Sequence, residues 1–285
     1  MRWTPGAQSG DVEDRRGQSY GGGFRGGPAS IGIILVLLVL SLLTGRNLLG
    51  LLGPGTIDSI ESPSQTSGPP GDESPEEKRL FQFVDFVVGD AQNTWAQLLG
   101  NGYRRATVVV FRGATPTACG VGQSAMGPFY CPLDEKVYID LGFYDELRRR
   151  FGAPGDFAQA YVITHEIGHH VQHLRGIDSQ VRQLQEQRPD VANQLSVRLE
   201  LQADCLAGVW GHSTAQRNLL DRGDVEEALN AAAAIGDDRI QSSTGRGVQP
   251  DSFTHGSSTE RVQWFRRGLE SGDVTSCDTF GRGTD

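Results

Sequence analysis

Four of the chain's six histidines lie within residues 165–173, in the stretch VITHEIGHHVQH (162–173). That crowding limits the fold more than any other feature. A helix brings residues i and i+4 to one face. A helical reading therefore sets His165 and His169 one turn apart, with Glu166 about 100° around the axis. The flanks agree. Pro154 and Gly155 break the chain beforehand, Asp156 can cap with Gln159 three residues on, and Arg175-Gly176 supplies a stop. The spacing predicts a helix over 157–175. Its uncharged members, such as Ile163, Thr164, Ile167 and Val171, suit burial at the floor of a cleft. Gly168 costs about 1 kcal/mol of helix propensity, which close approach of another backbone would explain.

Two imidazoles one turn apart can reach one metal ion, and the glutamate between them can take a proton from an activated water: the HExxH geometry. A hydrolytic zinc site needs a third protein ligand and an open position. VRLELQADCLAGVWG (197–211) offers the ligand. Leu195, Leu199, Ala203, Leu206 and Trp210 form a helical apolar stripe, and Glu200 and Asp204 stand one turn apart beside it. Carboxylates next to a core-facing stripe need a partner to offset desolvation. The reading assigns Glu200 as third ligand of Zn2+. Asp204 would accept the ring N–H of a ligand histidine, His165 by preference. His170 and His173 point elsewhere, and helix capping or exposure accounts for them.

Residues 31–43 read IGIILVLLVLSLL, and apolar character resumes after Arg46 as far as Leu52. As a helix, 31–52 would be about 33 Å long, against roughly 30 Å of hydrocarbon. This predicts one transmembrane helix. Arg2, Arg15, Arg16 and Arg25 precede it, and after Arg46 no lysine or arginine follows until Lys78, so the N-terminus is expected in the cytoplasm and the bulk of the chain outside. From Asn47 on the chain carries 21 basic and 32 acidic residues. The whole chain, at −9, disfavours a nucleic-acid partner. The expected organisation is a cytoplasmic tail (1–30), a membrane helix (31–52), a Pro-, Gly- and Ser-rich linker (53–76) and a folded domain (77–285).

Cys119, Cys131, Cys205 and Cys277 all follow the apolar run and include no C-x-x-C pair. An even number in an oxidising compartment suggests two disulfides. Three pairings are possible, and Cys119–Cys131 with Cys205–Cys277 is favoured. A helix carrying Phe81, Val84, Val88 and Trp95, strands at 106–111 and 136–141, and a helical remainder predict a mostly helical α+β domain with a small sheet. The strand at 136–141 is expected to form the sheet edge beside the site.

HEIGHH together with LELQADCLAGVW resembles the putative neutral zinc metallopeptidase family of bacterial membrane-anchored proteins. SGDVEDRRG (9–17), GPFYCP (127–132), KVYIDL (136–141) and SFTHGSSTERVQWFRRG (252–268) extend the resemblance over nearly the whole chain. It implies a zincin-like domain with a gluzincin-like zinc site. The implied activity is cleavage of a peptide or protein substrate outside the membrane, with Glu166 as general base. It also draws attention to His255, which similar peptidases would present to the transition-state oxyanion, with Tyr138 or Tyr130 as further candidates. Two other readings stay open: a cell-wall amide hydrolase, and an inactive zinc-stabilised binding module.

Overall fold

The computed structural model describes residues 1–18 apart from Ala7, together with 73–124, 127–151, 155–243 and 248–281. Among the described residues no helix is long and apolar enough to cross a membrane. The expected span at 31–52 lies outside them, as does the linker as far as residue 72.

The described residues hold six strands: β1 (Val12–Asp14), β2 (Thr107–Phe111), β3 (Ala114–Thr117), β4 (Gly120–Gln123), β5 (Phe129–Cys131) and β6 (Lys136–Asp140). Four form one sheet in the order β1-β2-β6-β5, and β3 and β4 form a separate hairpin. β1, β2 and β6 run parallel, while β5 runs antiparallel to β6. The pleat sends alternate side chains to opposite faces. Val108, Val110, Val137 and Ile139 enter the main core. Val109, Phe111, Cys131 and Tyr138 make a second cluster with Phe129 on the other face.

The helices are α1 (Pro75–Leu99), α2 (Gly142–Phe151), α3 (Asp156–Leu174), α4 (Ile177–Gln187), α5 (Ala192–Gln216), α6 (Asp224–Ala234), α7 (Asp237–Ser243) and α8 (Ser258–Ser271). The result is the expected mostly helical α+β unit. Helix α1 starts where Ser74 accepts the Glu77 N–H at 3.1 Å, with Pro75 in the first turn and Glu76 and Glu77 at the positive end of the dipole. Val84, Val88 and Trp95 are fully buried along it. Helix α8 starts with a capping box between Ser257 and Glu260. Helix α3 carries the histidine stretch within one residue of the predicted bounds. Asp156 opens α3 without capping it and instead lies 2.6 Å from the Met1 amino group.

Three helices meet closely through glycine. A Cβ on Gly168 of α3 would come within 3.1 Å of the Ala203 carbonyl of α5, which is the close approach anticipated from the sequence. Gly208 of α5 and Gly268 of α8 let those helices touch backbone to backbone, since a Cβ on Gly268 would collide with the Cys205 carbonyl and one on Gly208 with that of Phe265. Both favoured disulfides are present. Cys119–Cys131 joins the β3–β4 turn to β5, and Cys205–Cys277 fastens the C-terminal segment to α5.

One expectation is corrected. The strand at 136–141 is not an edge: β6 is paired on both sides, and the edge strands are β1 and β5. Met1–Gln18 belong to the same compact unit as Ser67–Asp285. Three-residue strands such as β1 and β5 are too short for alternation to mark them.

Candidate metal centre

Helices α3 and α5 cross at Gly168, and the crossing brings His165, His169 and Glu200 together. One ligand atom from each lies within 4.8 Å of the others. His165 Nε2 is 3.2 Å from Glu200 Oε2, and His169 Nε2 is 3.4 Å from Glu200 Oε1. The two rings stand edge to face, with centroids 4.8 Å apart.

The opposite nitrogen of each ring is held by a hydrogen-bond acceptor. His165 Nδ1 is 2.8 Å from Asp204 Oδ1, and a carboxylate there takes the N–H. His169 Nδ1 is 2.8 Å from Gln172 Oε1, whose amide nitrogen in turn donates to the Leu199 carbonyl at 2.7 Å. These contacts fix the ring orientations and turn both Nε2 atoms toward Glu200. Two imidazole nitrogens and one carboxylate facing a common point form a donor set that suits a divalent metal such as zinc. The electrostatics agree. Burial lowers the His165 ring, but Asp204 and Glu200 outweigh it and push the ring up to about 10. For His169 burial again opposes and Glu200 prevails, raising it. Burial raises Glu200, yet His169 and His165 hold its carboxyl well below the ordinary range. The point between the three groups attracts positive charge.

Asp204 is fully buried and has more partners than the sequence reading assigned. Arg261 of α8, 2% exposed, grips it through Nε to Oδ2 and Nη2 to Oδ1, both at 2.9 Å. The Tyr161 hydroxyl also donates to it. Arg261 Nη2 lies 3.9 Å from Glu200 Oε2, so one guanidinium neighbours both carboxylates. Sequence reasoning missed Arg261, Tyr161 and Gln172. A signal existed for Arg261: it shares the inward face of α8 with Phe265 and Gly268, so a basic residue occupies a core register.

These groups open into a cleft of about 540 Å³, lined in part by Glu166, His255, Arg261 and the β5 region Pro128–Tyr130. Glu166 is 8% exposed. His255 sits across the cleft with its side chain half exposed, and its Nδ1 lies 3.3 Å from Asp237 Oδ1. The other Asp237 oxygen accepts the backbone N–H groups of Thr254, His255 and Gly256, which fixes this loop.

His170 and His173 lie outside the donor group. His170 is fully buried, contrary to the exposure or capping expected of it. Its Nε2 donates to the Arg104 carbonyl at 2.7 Å and its Nδ1 faces the Tyr130 hydroxyl at 3.0 Å, with burial lowering its pKa. His173 is tied to Asp178 at 2.9 Å. Tyr138 is committed to Asp134 at 2.7 Å and packs on the sheet face away from the main core. A second acidic group, Asp156, Asp224 and Glu227, surrounds the Met1 amino group, which is 3.3 Å from Asp224.

A family model described as putative neutral zinc metallopeptidase matches residues 1–280. The uncharacterized protein YpfJ of Escherichia coli K12 is 49% identical over 292 aligned positions that cover 99% of each chain. The uncharacterized protein Rv2575 of Mycobacterium tuberculosis H37Rv is 43% identical over 198 positions, covering 65% of this chain and 66% of that one. No solved structure matches.

Proposed function

The chain belongs to the putative neutral zinc metallopeptidase family, and from that premise we propose that it is a zinc-dependent endopeptidase acting outside the cytoplasm. The observation that carries this reading is the convergence of His165, His169 and Glu200 on one point, with Glu166 beside them in one cleft. His165, His169 and Glu200 would hold the metal. Zinc, when bound, supplies a Lewis acid for the scissile carbonyl and acidifies a coordinated water. Glu166 takes the proton of the attacking water and passes it to the leaving amine. His255, steadied by Asp237, donates to the oxygen on which negative charge develops. Edge strand β5, which borders the cleft, would take an extended peptide as a further strand. The two disulfides support an oxidising compartment as the place of action.

The test is made on the purified full chain loaded with zinc. The wild type should cleave a peptide library. Glu166→Gln should lower cleavage by about 10²- to 10⁴-fold, the usual contribution of a general base, while retaining the wild-type zinc content. Glu200→Ala should lose the zinc itself. Stoichiometric zinc without cleavage of any peptide would sink the peptidase reading in favour of a binding module, and cleavage confined to peptidoglycan would favour the cell-wall amide hydrolase.

A further inference from the structure

The metal centre makes no use of the motif SGDVEDRRG at 9–17, yet the structure builds it into the catalytic unit as a strand. Val12, Glu13 and Asp14 pair with Val108, Val109 and Val110 of β2. The Val108 N–H donates to the Asp11 carbonyl at 2.8 Å, and the Arg15 N–H to the Val110 carbonyl at 2.7 Å. Ser9 donates its backbone N–H to Asp85 of α1 at 3.1 Å. It sits so close to that helix that a Cβ on Gly89 would approach its own Cβ to 2.9 Å. Trp3 packs edge-on against Phe83 at 5.4 Å.

Arg16 locks the arrangement. Its side chain is 1% exposed, reaches Asp14 at 2.7 Å and Glu73 at 2.8 Å, and lies over the Phe81 ring at 4.2 Å. Glu73 is where the described chain resumes after residue 18. One guanidinium thus ties residue 14 to residue 73 within the folded unit. Strand pairing and a buried ion pair cannot reach across a bilayer about 30 Å thick.

We infer that residues 1–18 and the metal centre lie in the same compartment, so that no single membrane crossing separates them. A helical crossing needs about 20 apolar residues. The run at 31–52 is long enough for one crossing and too short for two, so any contact it makes with a bilayer is made from one side. On this inference the flanking arginines do not set an orientation. Arg2, Arg15 and Arg16 sit in ion pairs of the folded unit with Asp221, Glu13 and Asp14, and folded domains are translocated largely regardless of their charge.

The test uses two single-cysteine reporters in the full-length chain, Gln8→Cys and Gln183→Cys, both at exposed positions. The four native cysteines are disulfide-bonded and do not compete for label. Expressing cells are treated intact with a membrane-impermeant maleimide, and again after lysis. The expected result is that both positions label alike, either both before lysis or both only after it. Labelling of one position in intact cells while the other waits for lysis would overturn the inference.

Discussion

At the scale of single residues, the buried carboxylate of Asp204 decides how well the centre is held. It takes hydrogen bonds from His165, Tyr161 and both sides of the Arg261 fork. Arg261→Met removes a buried guanidinium from beside a fully buried anion, and breaking a buried pair in this way costs about 3–5 kcal/mol. With Asp204 less constrained, His165 loses its orientation. Zinc affinity should fall by roughly 10- to 100-fold, the usual effect of losing an outer partner of a ligand histidine. Arg261→Lys keeps the charge but not the fork, and should recover stability more than affinity. Thermal unfolding and zinc competition against a chromophoric chelator would separate the two effects. Unchanged zinc affinity in Arg261→Met would show that Asp204 orients His165 unaided. Much of this site was legible in the sequence. His165, Glu166 and His169 lie within one helical turn, and Glu200 with Asp204 repeats that spacing on a second amphipathic helix. Arg261 was not, because it arrives from a helix 57 positions beyond Asp204. His170 was misread for the same reason, since its partners Tyr130 and Arg104 are 40 and 66 positions away.

At the scale of elements, ligand geometry depends on how closely the helices cross. Helix α8 can lay Arg261 against Asp204 only because Gly208 and Gly268 remove the side chains between α8 and α5. In Gly268→Ala the new methyl has backbone rather than a flexible side chain in its path. Overpacking of this kind costs about 1–3 kcal/mol or more, and the shift of α8 should weaken zinc binding as well. Gly102→Ala, where nothing lies within 4 Å of the added Cβ, serves as the control. Denaturant unfolding should separate the two variants, and equal midpoints would refute the crossing argument. The sequence suggested one such contact, at Gly168, because a glycine inside a strongly patterned helix is conspicuous. It misjudged the sheet edge. KVYID alternates clearly enough to be recognised as a strand, but alternation says nothing about how many neighbours a strand has, and β5 is too short to announce itself.

At the scale of the whole molecule, the sequence was divided at its most apolar run. That rule separates segments by solvent preference and carries no information about pairing. Nothing local in residues 12–14 reveals that they continue a sheet begun by residues 107–111. The difference can be measured through Arg16. If residues 1–18 were a tail beyond a membrane, Arg16 would be one flanking charge among several, and replacing it would leave the folded unit's stability unchanged. In the fold, Arg16→Ala strips the partner from Asp14 and Glu73, and one of two from Glu77, which keeps Arg112, around a side chain that is 1% exposed. A loss of about 3 kcal/mol is expected for a buried pair broken on one side. For a folded unit of this size that corresponds to a fall in Tm of roughly 6–12 °C. Differential scanning calorimetry of the purified full-length variant beside the wild type reads the effect directly. Equal Tm values for Arg16→Ala and wild type would return residues 1–18 to the status of a tail.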